Sequence, residues 1–127
     1  VIVVVAAVIR RDGRFLVTRR LEGTHLAGLW EFPGGKANQD EEHRTALRRE
    51  IREELDADVD VQELVHQTRH AYADRVVSLF FYRCTLRGEP RAALGQQLEW
   101  VEPADLQKLE FPPADLELIE LLRSKCT

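Results

Sequence analysis

Positive charge is in short supply: 18 Lys and Arg stand against 22 Asp and Glu, a net charge of −4. Sequence-independent binding to nucleic acid works by neutralising phosphates with a basic face, so this balance argues against a polynucleotide partner. A small anion complexed to a metal ion stays admissible, because a bound cation reverses the local field of a cleft. Cysteine is scarce too. Cys84 and Cys126 fall in no CxxC or Cys/His ligand spacing, which predicts two free thiols in a reducing compartment. His25, His43, His66 and His70 show no metal-ligand spacing either. Long apolar runs are missing: Val1 to Ile9 is too short to span a bilayer and has no basic leader or cleavage-type site. That run reads as a buried strand and the absent initiator Met as trimming, so no membrane partner and a cytoplasmic location are expected. Repeats, low-complexity tracts and Ser/Gly linkers are also lacking, and the length suits a single domain over 1–127.

What is present is an ordinary globular composition, 44% hydrophobic and 31% charged, neither disordered nor membrane-like. Val1 to Ile9 ends at Asp12-Gly13, a turn signal, and Phe15 to Thr18 should return as the second strand of a hairpin. Leu29 to Phe32 is a short apolar run stopped by Pro33-Gly34-Gly35. From Asp40 to about Leu55 the pattern turns helical, with Leu47, Ile51 and Leu55 forming an apolar stripe. Val59 to Val65, Val76 to Leu86 and Leu98 to Val101 read as strands. Pro112-Pro113 opens a last helix whose apolar positions are Leu116, Ile119, Leu121 and Leu122. Strands interrupted by two separated helices predict an α/β fold, a mixed sheet with helices packed on it.

The chemistry concentrates on the first helix. At roughly 100° per residue, Glu50, Glu53 and Glu54 share an arc of about 100° beside the apolar stripe. Glu50 and Glu54 should therefore sit at the core boundary. Three crowded carboxylates repel unless a cation lies among them, and hard oxygen ligands suit Mg²⁺ or Mn²⁺. The bland alternative is a solvated acidic helix neutralised by Arg48, Arg49 and Arg52, its basic face balancing its own glutamates.

The surrounding spacing decides between them. Gly35, five residues, Glu41, seven residues, then Arg49-Glu50-Ile51-x-Glu53-Glu54 resembles the Nudix box, Gly-x5-Glu-x7-Arg-Glu-U-x-Glu-Glu-x-Gly-U with U aliphatic. Asp56 stands where that signature has its last Gly, and Ala57 fills the final U. Thr18-Arg19-Arg20, Gly28 to Lys36, Gly88-Glu89-Pro90, Leu98-Glu99-Trp100 and Phe111 to Asp115 look like segments of the MutT branch of the same family. The resemblance implies the Nudix α/β/α sandwich and hydrolysis of a (deoxy)nucleoside triphosphate to monophosphate and pyrophosphate. It also implies that Glu50, Glu53 and Glu54, with the Gly34 carbonyl, hold divalent ions, with Glu99 as a further ligand or general base. A water whose pKa the ion lowers would attack, and Glu53 or Glu99 would take its proton. Arg49 would brace Glu41 and Glu50. Arg20 and Lys36 are candidate phosphate contacts, with plain surface charge as the alternative reading.

Asp115 bears on the base. The position is Asn in the MutT proteins that cleanse oxidised guanine nucleotides, and Ala-Asp in the pyrophosphohydrolases that prefer cytosine nucleotides. An ionised Asp only accepts hydrogen bonds; alternatively it caps the last helix. Phe32, Phe80 and Tyr82 could flank a base or lie in the core. Oxidised guanine nucleotides such as 8-oxo-dGTP lead as substrate and cytosine-type nucleotides follow. A non-catalytic nucleotide sensor is the rival from another class, and a monomer and a homodimer both remain open.

Overall fold

In the computed structural model, residues 1–24 and 26–125 are described; His25 and Cys126 lie outside them, so the expectation of a free thiol applies only to Cys84, which is free and buried. Seven strands and two α-helices follow the order β1 (Ile2–Arg11), β2 (Arg14–Arg19), β3 (Trp30–Glu31), β4 (Gly34–Lys36), α1 (His43–Leu55), β5 (Asp58–Ala71), β6 (Val76–Arg87), β7 (Gln97–Val101) and α2 (Leu116–Lys125). The sheet is mixed. β1 runs parallel to β6 and antiparallel to β2 and β4, while β5 pairs β6 and β7 pairs β2, both antiparallel. Among the described residues, no helix is long and apolar enough to cross a membrane.

The uninterrupted apolar character of β1 follows from burial on both faces. Val5, Ala7 and Ile9 face Leu47, Ile51 and Leu55 of α1. Ala6 and Val8 face the other way, toward Phe81, Leu118 and Leu122 of the α2 layer. The result is the expected sandwich, a mixed sheet between helical layers. At the first hairpin, Asp12 (φ 53°) and Gly13 (φ 79°) both take positive φ, the requirement of a two-residue turn whose twist matches its strands.

Several boundaries differ from the sequence reading. Asp40 is left-handed (φ 64°), and the helix starts only at His43, where the Glu42 carboxylate accepts from the Arg44 N–H. Gly34 and Gly35 do not merely stop a strand; they form one, against Val5 and Ala6 of β1. A side chain at Gly34 would collide with the Val5 carbonyl, so this pairing needs glycine. β5 continues to Ala71 and carries register shifts between Val61 and His66, which break its alternation and shortened the reading to Val65. Pro113 opens a 3₁₀ turn through Asp115 before α2 begins, and a further 3₁₀ turn at Pro103–Lys108 had no sequence signal. On α2, Leu118 rather than Leu116 enters the core; Leu116 remains 56% exposed because it precedes the inward face.

Candidate active site

A cavity of about 410 Å³ opens between the sheet and the start of α2. Its floor comes from alternation along two parallel strands. Ile2, Val4 and Ala6 of β1 stand beside Val77, Leu79 and Phe81 of β6, each pair sharing a face. This gives a flat apolar surface. Its rim is polar: Arg20, Glu31, Lys36, Glu50 and Glu54 on one side, with Tyr72, Arg75 and Asp115 from the β5–β6 turn and the pre-α2 turn. Such volumes and linings suit one small organic ligand.

The carboxylates are not equivalent. Glu54 lies 40° from Glu50 around the helix by its four-residue spacing, and both line the cavity. Glu53 falls on the solvent side of that arc, 55% exposed, against Arg49. Burial, with Glu31 and Glu50 close by, pushes the Glu54 carboxyl up to about 9, against a backbone hydrogen bond from Gly34 that favours the charged form. Glu50 is raised too, mainly by burial, and its carboxyl and that of Glu54 share a hydrogen bond. A Cβ at Gly35 would meet the Glu50 carboxylate, so a side chain there would push that carboxylate from its place.

Arg49 organises this group. Its Nε and Nη2 donate to the two oxygens of Glu41 at 3.0 and 2.9 Å, and Nη1 reaches Glu50 at 3.1 Å and Glu53 at 3.3 Å. It also donates to the Lys36 carbonyl at 3.0 Å, tying α1 to β4. The two-pronged contact holds the Glu41 carboxyl down at about 2.

Three of the candidate residues, Phe80, Tyr82 and Glu99, do not line the cavity. Phe80 alternates with Leu79 and Phe81 and so points to the α1 face, where its ring lies 4.5 Å from that of His43. Tyr82 shares that face and meets His43 Nδ1 at 2.9 Å. Glu99 pairs with Val17, while its neighbours Leu98 and Trp100 pack toward α1. It is exposed and lines neither the cavity nor its neighbour. Phe32 does edge the cavity, but 3% exposed and stacked on Phe111 at 5.6 Å it is core as much as wall. Arg20 is committed to Glu31 at 2.6 Å.

Glu31 was missed. It sat in a quoted segment, but two residues of strand gave no period to reveal that it faces the same side as Thr18 and Leu98, toward α1. Tyr72 and Arg75 were missed because the sequence between 66 and 75 had no clear turn signal; in the structure their backbones close the β5–β6 turn on each other. Asp115 lines the cavity: 4% exposed, it is pushed up to about 7 by burial and by Glu31, with Arg20 opposing.

Among the described residues, no three Asp, Glu, His or Cys side chains converge into a cation cage by themselves. A hard divalent ion does not need one, because it is commonly held by one or two carboxylates, substrate phosphates and water. The Glu50–Glu54 pair fits that requirement: two half-buried carboxyls in contact, both raised by burial and Glu54 also by the charge and hydrogen bond of Glu50, so that a cation between them would relieve the crowding.

A half-buried carboxylate pair at a Gly-Gly strand, braced by one arginine and opening on an apolar slot, is an arrangement on which a nucleotide-anhydride hydrolase would work. The family described as the NUDIX domain matches residues 4–121, and the chain belongs to it. It is 39% identical to the CTP pyrophosphohydrolase of Escherichia coli K12, over 92% of this chain and 87% of that one. It is also 39% identical to the 8-oxo-dGTP diphosphatase of Haemophilus influenzae, over 96% and 91%. Among solved structures, the E. coli ORF135 protein superposes with a TM-score of 0.85 at 38% identity, covering 97% of this chain and 89% of that one. The MutT protein of Methanosarcina mazei Go1 superposes at 0.87 with 25% identity, covering 98% and 94%. Nudix hydrolases generally need a divalent metal.

Proposed function

We propose that this chain hydrolyses a (deoxy)nucleoside triphosphate to the monophosphate and pyrophosphate with Mg²⁺ (Mn²⁺ as substitute), taking an oxidised guanine nucleotide such as 8-oxo-dGTP as its preferred substrate. One observation carries the reading: an apolar slot deep enough for a base is bounded by both the Glu50–Glu54 pair and the buried Asp115. Base recognition and phosphate chemistry are thereby joined in one cavity. The relatives named for 8-oxo-dGTP and for CTP support the substrate class.

Glu50 and Glu54, with the Gly34 carbonyl, are the residues that would hold the ion, and Glu53 would reach it from the rim. Bound there, the ion supplies charge neutralisation for the phosphates and a lowered water pKa. The protein residues do the rest. Arg49 fixes the Glu50 carboxylate through the Glu41 clamp, so the acceptor is in place before substrate arrives. A carboxylate of this group takes the proton of the attacking water; Glu50 is better placed for it than Glu53 or the distant Glu99, because it lines the cavity. The water oxygen joins phosphorus, the bridging P–O bond breaks and one proton is released. Lys36 lies on the same rim as a cation for the phosphate chain. Leu79 and Phe81 exclude water beneath the base.

Asp115 favours the oxidised purine. Near pH 7 its carboxyl is in part neutral, and a neutral carboxyl both donates and accepts, as the Asn in guanine-cleansing relatives does. The cytosine reading remains the second, favoured by the Ala114-Asp115 pair and by the CTP-named relative. Pyrophosphate release from natural and oxidised nucleoside triphosphates with Mg²⁺ tests both: kcat/KM is expected to be highest for 8-oxo-dGTP. A preference for cytosine nucleotides would select the second reading, and no turnover of any of them would sink the first and second alike.

A further inference from the structure

His66 is a buried polar group that the proposed chemistry does not use. The register shift between Leu64 and His66 sets it opposite Phe81, on the sheet face covered by α2, whereas Leu64 stands opposite Tyr82. Its ring lies 6.1 Å from that of Phe81, a residue of the slot floor. Its Nε2 is sealed from solvent and has no hydrogen-bond partner, the one such side-chain atom among the described residues. Whichever tautomer the ring takes, a donor or an acceptor is left unmet there, a state that folded chains avoid.

A carboxylate stands close by without engaging it. Glu117 Oε2 is 3.9 Å from Nε2, beyond hydrogen-bond reach, and the Glu117 side chain is 78% exposed. Both residues line an open groove of about 560 Å³ between β5 and α2. The other charges around the ring are already taken. Glu120, in the same groove, is held by Arg123 of its own helix at 2.9 Å. On β6, Arg83 is held by Glu63 of β5 at 2.8 Å. On the turn before α2, Asp115 answers to Glu31 and Arg20. Farther along β5, His70 packs edge-on against Tyr72 at 4.6 Å.

Imidazole is the side chain that changes its charge between about pH 5 and 8. A cation beside the first turn of a helix is opposed by the helix dipole, so a charged His66 needs the Glu117 carboxylate of that turn at close range. A movement of about 1 Å turns the open contact into a charge-assisted hydrogen bond.

We propose that His66 and Glu117 form a pH-sensitive latch between β5 and α2. Below neutral pH the protonated ring donates to Glu117 and ties the first turn of α2 to the sheet; at higher pH the bond opens. The stabilisation is present at low pH and lost as pH rises, the sign for a histidine that gains an acid partner. Because α2 begins at the residue after Asp115, the latch sets how firmly the Asp115 wall is held against the slot. It belongs to the folded chain and stands whether or not the triphosphate reading does.

The test is thermal unfolding of wild type, Glu117→Gln, His66→Gln and the double variant at pH 5.5 and pH 8. At pH 5.5, Glu117→Gln is expected to lower Tm by about 2 °C more in the wild-type background than in the His66→Gln background. At pH 8 the two losses are expected to agree. Equal losses in both backgrounds at both pH values overturn the proposal, since Glu117 would then act only on the dipole of α2. A coupling of the same size at both pH values overturns it too, because the contact would need no proton. Should His66→Gln fold poorly, the ring resonance of His66 decides: its pH dependence is expected to differ between wild type and Glu117→Gln, and identical curves overturn the latch.

Discussion

Asp115 makes the charge of the cavity wall depend on pH through a single carboxyl. Its folded-state pKa of about 7 lies above the ordinary carboxylate range because burial disfavours the charged form. The linked stability is therefore fully present below about pH 4 and is lost as pH rises through 7. Asp115→Asn, which never ionises, should leave stability at pH 4 nearly unchanged and raise it at pH 8, by up to about 4 kcal/mol for a carboxyl lifted from the ordinary aspartate value to about 7. Thermal unfolding at the two pH values checks this; an equal shift at both would show that the carboxyl is not held up by its surroundings. Another aspartate shows a different accommodation. Asp56 occupies the left-handed C-cap (φ 51°) where the Nudix signature has Gly, and its carboxylate meets Arg91 at 3.1 Å. The departure from the motif thus lies at the helix exit and leaves the carboxylates untouched.

The end of α1 is held by a distant loop as well as by its own cap. The Glu54 carbonyl receives Gln96 Nε2 and the Ala93 N–H, and the Leu55 carbonyl receives the Arg91 N–H at 2.8 Å. These bonds satisfy carbonyls that a helix leaves unpaired and position Glu54 at the cavity rim. Gln96 is 8% exposed, so Gln96→Ala should cost about 1–3 kcal/mol, most of it the penalty for stranding buried partners. Chemical denaturation measures it; a change within about 0.3 kcal/mol would mean the loop does not support the helix. None of this was legible in the sequence. α1 itself was, because Leu47, Ile51 and Leu55 keep one period throughout and the acidic arc lies beside them. The hydrophobic pattern also located β1 and β6. It failed where period does not exist: in the two-residue β3 that carries Glu31, in β4 where glycines mimic a turn, and along the irregular middle of β5. Phe80 was misplaced for a related reason, since β6 is covered on both faces and its run of Leu79-Phe80-Phe81-Tyr82 does not say which side is which.

Across the whole molecule, the sheet separates stability from chemistry. The α1 side is a close-packed core around Ile9, Leu47 and Ile51, while the α2 side leaves an unfilled slot between β1, β6 and the pre-α2 turn. The carboxylates stand at the edge of the sheet where both sides meet, so a helix anchored in the core can present Glu50 and Glu54 to the slot. Spacing revealed the pair, whereas its junction with Asp115, Tyr72 and Arg75 is a product of chain crossing that no local pattern records. The most direct measurement of the central claim compares wild type with Glu54→Gln for pyrophosphate release from 8-oxo-dGTP, with Mg²⁺ and with chelator. The account predicts Mg²⁺-dependent turnover in wild type, and a loss of about 100-fold or more in Glu54→Gln with Tm unlowered, since Gln removes a carboxyl that burial already keeps neutral. Turnover of Glu54→Gln at the wild-type rate, or wild-type turnover indifferent to chelation, would contradict it.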